Sequence, residues 1–118
     1  MEINEKIALE NMGGKKSLLI AILSYALELE EERWSEIEDA YLHEDYERYE
    51  IKAHALKGAM GCIGLEDLSA FSYQQELACS LGKHDQVKTN HPQLKELYTQ
   101  SHRCIERYLN KLNHETVQ

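Results

Sequence analysis

"AHALKGAMGCIG", residues 53–64, carries glycines at positions 58, 61 and 64 in a part of the chain that otherwise has the pattern of a helix. A glycine inside a helix costs roughly 0.5–1 kcal/mol relative to alanine. Apolar residues nevertheless step through this region by four and three positions, which is the spacing of one buried helical face. That face consists of Tyr49, Ala53, Leu56, Met60 and Ile63. Gly64 ends the helix, as glycine commonly does, so the two internal glycines need another explanation.

The same periodicity recurs on both sides of this helix and covers most of the chain. The helices predicted from it span residues 3–11, 15–43, 45–63, 65–81 and 91–113. Asp45 is a suitable N-cap, Gly82 a suitable C-terminal stop, and Pro92 fits the first turn of the last helix. No segment alternates between apolar and polar residues over a useful length. We therefore predict an all-α protein, an antiparallel four-helix bundle with a short extra N-terminal helix.

Length and charge narrow the functional classes. The 118 residues suit a single domain over 1–118, which can bury about two thirds of its unfolded surface without a metal or disulfide. The net charge is −8, and the segment 28–50 holds eleven acidic residues against two basic ones. Such a run is typical of a solvated helix face. A chain this acidic, without clustered Lys and Arg, is not expected to bind nucleic acid.

Cysteine usage and the N-terminal sequence indicate the compartment. The three cysteines form no C-x-x-C pair and lie at or beside apolar positions, where free cysteine acts as a small hydrophobic residue. This favours a reducing compartment. The start, MEINEKIALEN, lacks the basic and apolar segments of a signal peptide, and no apolar run approaches the length of a membrane span. We expect a cytoplasmic protein that makes no membrane contact.

A second stripe lies beside the apolar face of the helix at 45–63, because residues three and four apart are neighbours on a helix. It consists of Glu50, His54, Lys57, Gly58 and Gly61. Gly58 clears the surface beside the imidazole, so that a bulky partner could approach the ring. A neutral imidazole is nucleophilic near neutral pH, and Lys57 would bring a positive charge to an anion attached to it. These residues predict a site that carries a phosphoryl group.

The stretch His54-Ala55-Leu56-Lys57-Gly58, followed by Gly64, resembles the H-x-L-K-G-x-x-x-x-x-G signature of histidine-containing phosphotransfer (HPt) domains. The resemblance covers nearly the whole chain. Gly13-Gly14 is similar to the glycine turn before the family's first long helix, and the length of the chain and the order of its helices agree with the family. Ile63-Gly64, Leu68 and Glu76 follow the family's spacing in the next helix. One position departs from the family, because Gln75 stands where a leucine is common.

The resemblance implies a role for each matching residue. His54 would be phosphorylated on Nε2, Lys57 would neutralise the phosphoryl charge, and Gly58 would leave room for the partner. Glu76 would hold the imidazole Nδ1 from the adjacent helix, which fixes the tautomer and leaves Nε2 free. Glu50 and Gly61, on the same stripe, are assigned to the partner-binding surface. The resemblance also makes the partners response-regulator receiver domains, with a hybrid sensor histidine kinase as a further possible source of phosphate.

The chain itself offers no nucleotide-binding element, since it contains no G-x-x-x-x-G-K-[ST] motif. We therefore expect a monomeric phosphocarrier rather than an enzyme, with no cofactor of its own and with Mg²⁺ supplied by the receiver. The remaining five histidines are scattered, and the default expectation for them is a surface position. None has Glu three residues before it and none forms a zinc spacing with cysteines, so no metal site is predicted.

Two other functions stay open at this point. The chain could be the phosphoaccepting domain of a chemotaxis-like histidine kinase, fed by an ATP-binding domain elsewhere. It could also be a non-catalytic helical interaction module, although the presence of His54 argues against that. Nothing in the sequence separates a free-standing relay protein from a fragment of a larger kinase.

Overall fold

The computed structural model describes residues 1–117, with side chains through residue 115. Over this range the regular structure is entirely α-helical, and the prediction of an all-α protein is confirmed. The helices are α1 (Glu5–Asn11), α2 (Lys16–Glu28), α3 (Glu30–Leu42), α4 (Tyr46–Cys62), α5 (Glu66–Ser80) and α6 (His84–Val117). None of these helices, as far as they are described, has the length and apolar character needed to cross a bilayer. Gln118, the last residue of the predicted domain, lies outside the described residues.

The helices pack mainly between neighbours in the chain. The most extensive contact joins α4 to α5, α5 packs on α6, α4 also contacts α3, and α6 also contacts α2. The short α1 touches both α2 and α4. The molecule is elongated, with principal extents of 51 × 23 × 19 Å. The α4–α5 pair therefore has the most extensive packing between any two helices of the described chain.

The apolar face predicted for α4 is buried. Its members Tyr49, Ala53, Leu56, Met60 and Ile63 are all at most 2% exposed. Burying a large aliphatic side chain stabilises a protein by about 1.5–3 kcal/mol, so this face alone fixes the rotation of α4 about its axis. Asp45 caps the helix as predicted, since its side chain accepts a hydrogen bond from the Arg48 amide at 3.1 Å.

The single helix predicted over 15–43 is wrong, because the chain breaks at Leu29 into α2 and α3. The break puts Glu30, Glu31 and Glu32 into the first turn of α3, where the positive end of the helix dipole favours carboxylates. No glycine, proline or capping side chain marks this boundary in the sequence.

The last helix begins at His84 rather than at residue 91, so the predicted loop KHDQVKTNHP is helical from its second residue and Pro92 lies inside α6. Val87 is fully buried and holds this polar segment against the rest of the protein. Proline lacks the N–H that would bond the carbonyl four residues earlier. The Tyr41 hydroxyl instead donates to that carbonyl, on Lys88, at 3.5 Å. The polarity of the segment had wrongly indicated a loop.

Gly64 occupies a position that only glycine fits. Its φ is +82°, and a Cβ there would lie 2.5 Å from the backbone oxygen of Asn4. The Asn4 amide donates to the Gly64 carbonyl at 2.8 Å, and the Asn4 side chain accepts from the Ile7 amide at 3.2 Å to cap α1. The turn between α4 and α5 is thereby joined to the start of α1.

Candidate functional site

His54 lies in the middle of α4 on the side away from the buried face, and its side chain is 66% exposed. The imidazole Nδ1 is 2.5 Å from Oε2 of Glu76, which projects from α5. A carboxylate can only accept a hydrogen bond, so Nδ1 carries the proton and donates it. The other ring nitrogen, Nε2, has no hydrogen-bond partner within the described residues. The nitrogen that faces solvent is thus the one with a free lone pair.

Lys57 lies one helical turn after His54, and its ammonium also contacts Glu76. Lys57 Nζ donates to Oε1 at 3.2 Å, while Oε2 accepts the hydrogen bond from His54. The sequence predicted both residues as neighbours of the imidazole but did not indicate that Lys57 pairs with Glu76. The Glu76 carboxylate therefore links His54 and Lys57. The Lys57 ammonium is already paired with that carboxylate when no phosphoryl group is present.

The Glu76 carboxylate is stabilised in its ionised form. Burial acts to raise its pKa, but the hydrogen bonds from His54 and Lys57 outweigh burial, so the pKa lies below its ordinary value. Because the folded-state pKa is lowered, the contribution of these contacts to stability is present above the unfolded-state pKa of Glu76. It is lost as the pH falls through the folded-state pKa. At neutral pH the acceptor for the Nδ1 proton is fully charged.

Gly58 leaves open space next to His54. A Cβ built on Gly58 would meet no atom within 4 Å, so the glycine is not required by packing inside the protein. Gly58 also has an ordinary helical backbone, which any residue could adopt. Neither internal packing nor backbone conformation therefore accounts for a glycine at this position.

The other two residues of the stripe have internal contacts. A Cβ on Gly61 would lie 3.0 Å from Oγ of Ser69, so this glycine lets α5 approach α4. Ser69 also donates to the Lys57 carbonyl at 2.8 Å. Glu50 is half-buried on α4. After burial itself, Glu50 is the second influence that raises the pKa of the Cys79 thiol, to about 11.

Gln75, the departure from the HPt pattern, belongs to a buried polar network. Its Nε2 donates to the Tyr49 hydroxyl and to the Val87 carbonyl, each at 3.1 Å. Nε2 of His91 is 3.2 Å from a Glu38 carboxylate oxygen, which can only accept its proton, so His91 Nδ1 accepts from Tyr49 at 2.9 Å. The network joins α3, α4, α5 and α6 beneath the site.

Two histidines, one of them in this network, are buried and so depart from the default expectation of a surface position. His91 and His102 are only 3% and 4% exposed. Burial lowers the pKa of His91 more than the neighbouring Glu38 carboxylate raises it. The ring is stacked on Tyr41, with centroids 3.7 Å apart. No sequence spacing marked His91, because its partners Tyr49 and Glu38 lie 42 and 53 positions away in the chain. His102 faces the Tyr98 carbonyl on its own helix, a contact that no motif in the sequence indicates.

Tyr73 is a site neighbour that the sequence did not indicate. The Lys57 ammonium lies over its ring, 4.9 Å from the centroid. Tyr73 precedes Glu76 by three residues on α5, so both side chains reach the same side of that helix. Finding this contact requires the relative rotation of α4 and α5, which the sequence pattern does not specify.

The described residues contain no group of three or more His, Cys, Asp or Glu side chains placed to hold a metal ion. Comparisons of the chain with models of protein families, with curated proteins and with solved structures give no match. The chemistry open to the site is set by the geometry of His54, Lys57, Gly58 and Glu76.

Proposed function

We propose that the chain is a histidine phosphotransfer domain that relays a phosphoryl group between His54 and the aspartates of receiver domains. The observation that carries the proposal is the contact of 2.5 Å between His54 Nδ1 and Glu76. It fixes the tautomer in which the exposed Nε2 is unprotonated. The resemblance of residues 54–64 to the HPt signature supports the same function.

The helix contacts support an antiparallel four-helix bundle as the scaffold. Only Leu29 separates α2 from α3, and its backbone lies in the right-handed helical region, so we propose that the two helices are the two halves of one bundle element. That element contacts α4 through α3 and α6 through α2, while α5 lies between α4 and α6. A closed ring of contacts among four long elements, with α1 as an additional short helix, supports the proposed bundle.

The proposed reaction uses a receiver's aspartyl phosphate as donor. The Nε2 lone pair of His54 attacks phosphorus, the bond from phosphorus to the acyl oxygen breaks, and the aspartate carboxylate leaves with that electron pair. The ring becomes cationic while Nδ1 keeps its proton, and the Glu76 carboxylate stabilises that charge. Lys57 offsets the charge of the phosphoryl oxygens. The reverse attack by another aspartate returns the phosphoryl group, and the receiver supplies Mg²⁺ in both directions.

A transfer assay tests the proposal. Receiver domains carrying radioactive phosphate on aspartate are mixed with this protein, and the label is followed by gel electrophoresis. Label that moves to this chain and is lost in acid but survives alkali identifies phosphohistidine. If no receiver transfers while an ATP-binding kinase domain does, the chain is a kinase-fed acceptor. If neither transfers, the proposed function is wrong and a helical interaction module remains.

Two substitutions of Glu76 distinguish its role in orienting the His54 imidazole from the effect of its negative charge. Glu76→Ala removes the acceptor of the Nδ1 proton, and hydrogen bonds to charged groups contribute about 1.5–3 kcal/mol. We expect transfer to slow by about 10- to 100-fold. Glu76→Gln keeps an oxygen that can accept from Nδ1, so its loss should be smaller. Initial rates of label transfer measure both, and equal rates for alanine, glutamine and wild type would show that Glu76 does not orient His54.

Enlarging Gly58 should block the partner without harming the helix. Because a side chain there meets open space, Gly58→Ala should stabilise the protein by about 0.5–1 kcal/mol. Gly58→Leu should be at least as stable as wild type. Its phosphate transfer should be slower by a factor of about ten or more, which corresponds to an increase of about 1.4 kcal/mol or more in the activation free energy. Urea unfolding and the transfer assay give the two quantities. Normal transfer by Gly58→Leu would show that the glycine does not admit the receiver.

A further inference from the structure

The Lys57 ammonium is held from two sides by residues of α5. Glu76 accepts one hydrogen bond from it at 3.2 Å, and the Tyr73 ring lies beneath it at 4.9 Å from the centroid. A lysine has a flexible four-carbon stem, and its ammonium carries three donors. Only the bond to Glu76 is formed among the described residues, which leaves two donors for another acceptor.

The two neighbours constrain the ammonium differently. The carboxylate fixes one N–H direction, and it lies on the Nδ1 side of His54, whereas the phosphoryl group would be attached to Nε2. The attraction between a cation and an aromatic face depends on the position of the charge over the ring and needs no particular N–H direction. The ammonium can therefore turn its donors from carboxylate to phosphoryl oxygens while it stays over the same ring.

We propose that Tyr73 is a positioning residue for phosphoryl transfer and that it acts through Lys57. The proposal rests on the proposed function of His54. Tyr73 confines the ammonium beside the imidazole, so that little freedom of the lysine stem is lost when the phosphoryl group arrives. The ring face carries this role and the hydroxyl does not. Tyr73 itself touches neither the imidazole nor the reacting atoms.

Leucine and phenylalanine at position 73 test the role of the ring. Cation–π contacts at exposed sites are weak, and the Tyr73 residue is 48% exposed. We therefore expect Tyr73→Leu to slow transfer to His54 by about two- to fivefold, while Tyr73→Phe stays within about 1.5-fold of wild type. The matched control is Leu77→Ala on the same helix, since Leu77 is exposed to a similar degree and, being aliphatic, offers Lys57 neither a ring face nor a hydrogen-bond acceptor in its side chain. It should leave the rate unchanged.

A double-mutant cycle distinguishes action through Lys57 from direct contact with the receiver. In a Lys57→Gln background, Tyr73→Leu should have no further effect on the rate. A loss that persists in that background, or a Tyr73→Leu rate equal to wild type, would overturn the proposal. So would a Tyr73→Phe rate as low as that of Tyr73→Leu, because the hydroxyl would then be the active group.

A measurement without any partner keeps this proposal separate from the function of His54. In an NMR spectrum the ε-methylene protons of Lys57 should be shifted upfield by the Tyr73 ring. The shift should vanish in Tyr73→Leu and persist in Tyr73→Phe. Absence of the shift in wild type would overturn the proposal even if transfer occurs. If the shift is present but no receiver or kinase domain labels wild type, the proposed function is wrong. The positioning role of Tyr73 is then wrong as well, because it depends on that function.

Discussion

Replacing His54 by glutamine is expected to abolish phosphate acceptance while the protein stays folded. A glutamine amide offers no nucleophilic nitrogen, so label should not rise above background in the transfer assay. The side chain is largely exposed, and substitutions at such positions usually change stability by about 0.5 kcal/mol or less. Glu76 also keeps Lys57 as its cationic partner. Circular dichroism melting should therefore give a transition close to that of wild type.

His43 provides the matched control for this substitution. It is another exposed histidine near a carboxylate, with Nδ1 3.3 Å from Asp39, but no lysine or open glycine position is paired with it in the described contacts. His43→Gln should accept phosphate at the wild-type rate. Label on the His54→Gln protein, or its loss in the His43→Gln protein, would assign the acceptor to a different residue.

Gly64→Ala is expected to destabilise the fold strongly. The left-handed backbone costs a residue with a Cβ roughly 1–2 kcal/mol, and forced overpacking typically adds 1–3 kcal/mol. The new Cβ would lie 2.5 Å from the Asn4 oxygen, so the start of α1 must move away from the α4–α5 turn. We expect a loss of about 2–5 kcal/mol in the free energy of unfolding. Urea denaturation followed by helical circular dichroism measures it.

Gly82→Ala separates the two causes of that loss. Gly82 also has a left-handed backbone, with φ +69°, but a Cβ there meets nothing within 4 Å. Only the conformational part should remain, about 1–2 kcal/mol. If both alanine variants lose the same free energy, the contact between Gly64 and Asn4 adds nothing to the strain.

The features of this fold that the sequence predicted are those that local physics determines. The apolar spacing of α4 identifies the face that is buried, and Asp45 and Gly64 mark its ends through backbone chemistry. The boundary at Leu29 gives three glutamates the favourable end of a new helix dipole, and no turn residue in the sequence marks it. The early start of α6 depends on Val87, a single apolar residue among polar ones, and on a Tyr41 contact from another helix.

The candidate site also contains features that the sequence predicts and features that depend on how the helices pack. Residues of one helix, His54, Lys57 and Gly58, can be grouped from spacing alone because helix geometry fixes their separation. The resemblance to HPt domains added Glu76 from the next helix. The pairing of Lys57 with Glu76 and its contact with Tyr73 depend on how α5 is rotated against α4. That rotation is a property of the packed core and has no signal in the sequence.

Gln75 and Glu76 are consecutive residues on α5, and they point in directions about 100° apart. Gln75 enters the buried network and Glu76 reaches His54. The contacts of the buried Gln75 amide therefore set the direction in which the Glu76 carboxylate points. A turn of α5 by one residue would break both contacts at once. The packed core therefore holds the carboxylate that selects the tautomer with an unprotonated Nε2. Under the proposed function, the ratio of phosphorylated to unphosphorylated partners would then set the direction of transfer, because this chain contributes the same geometry to both directions.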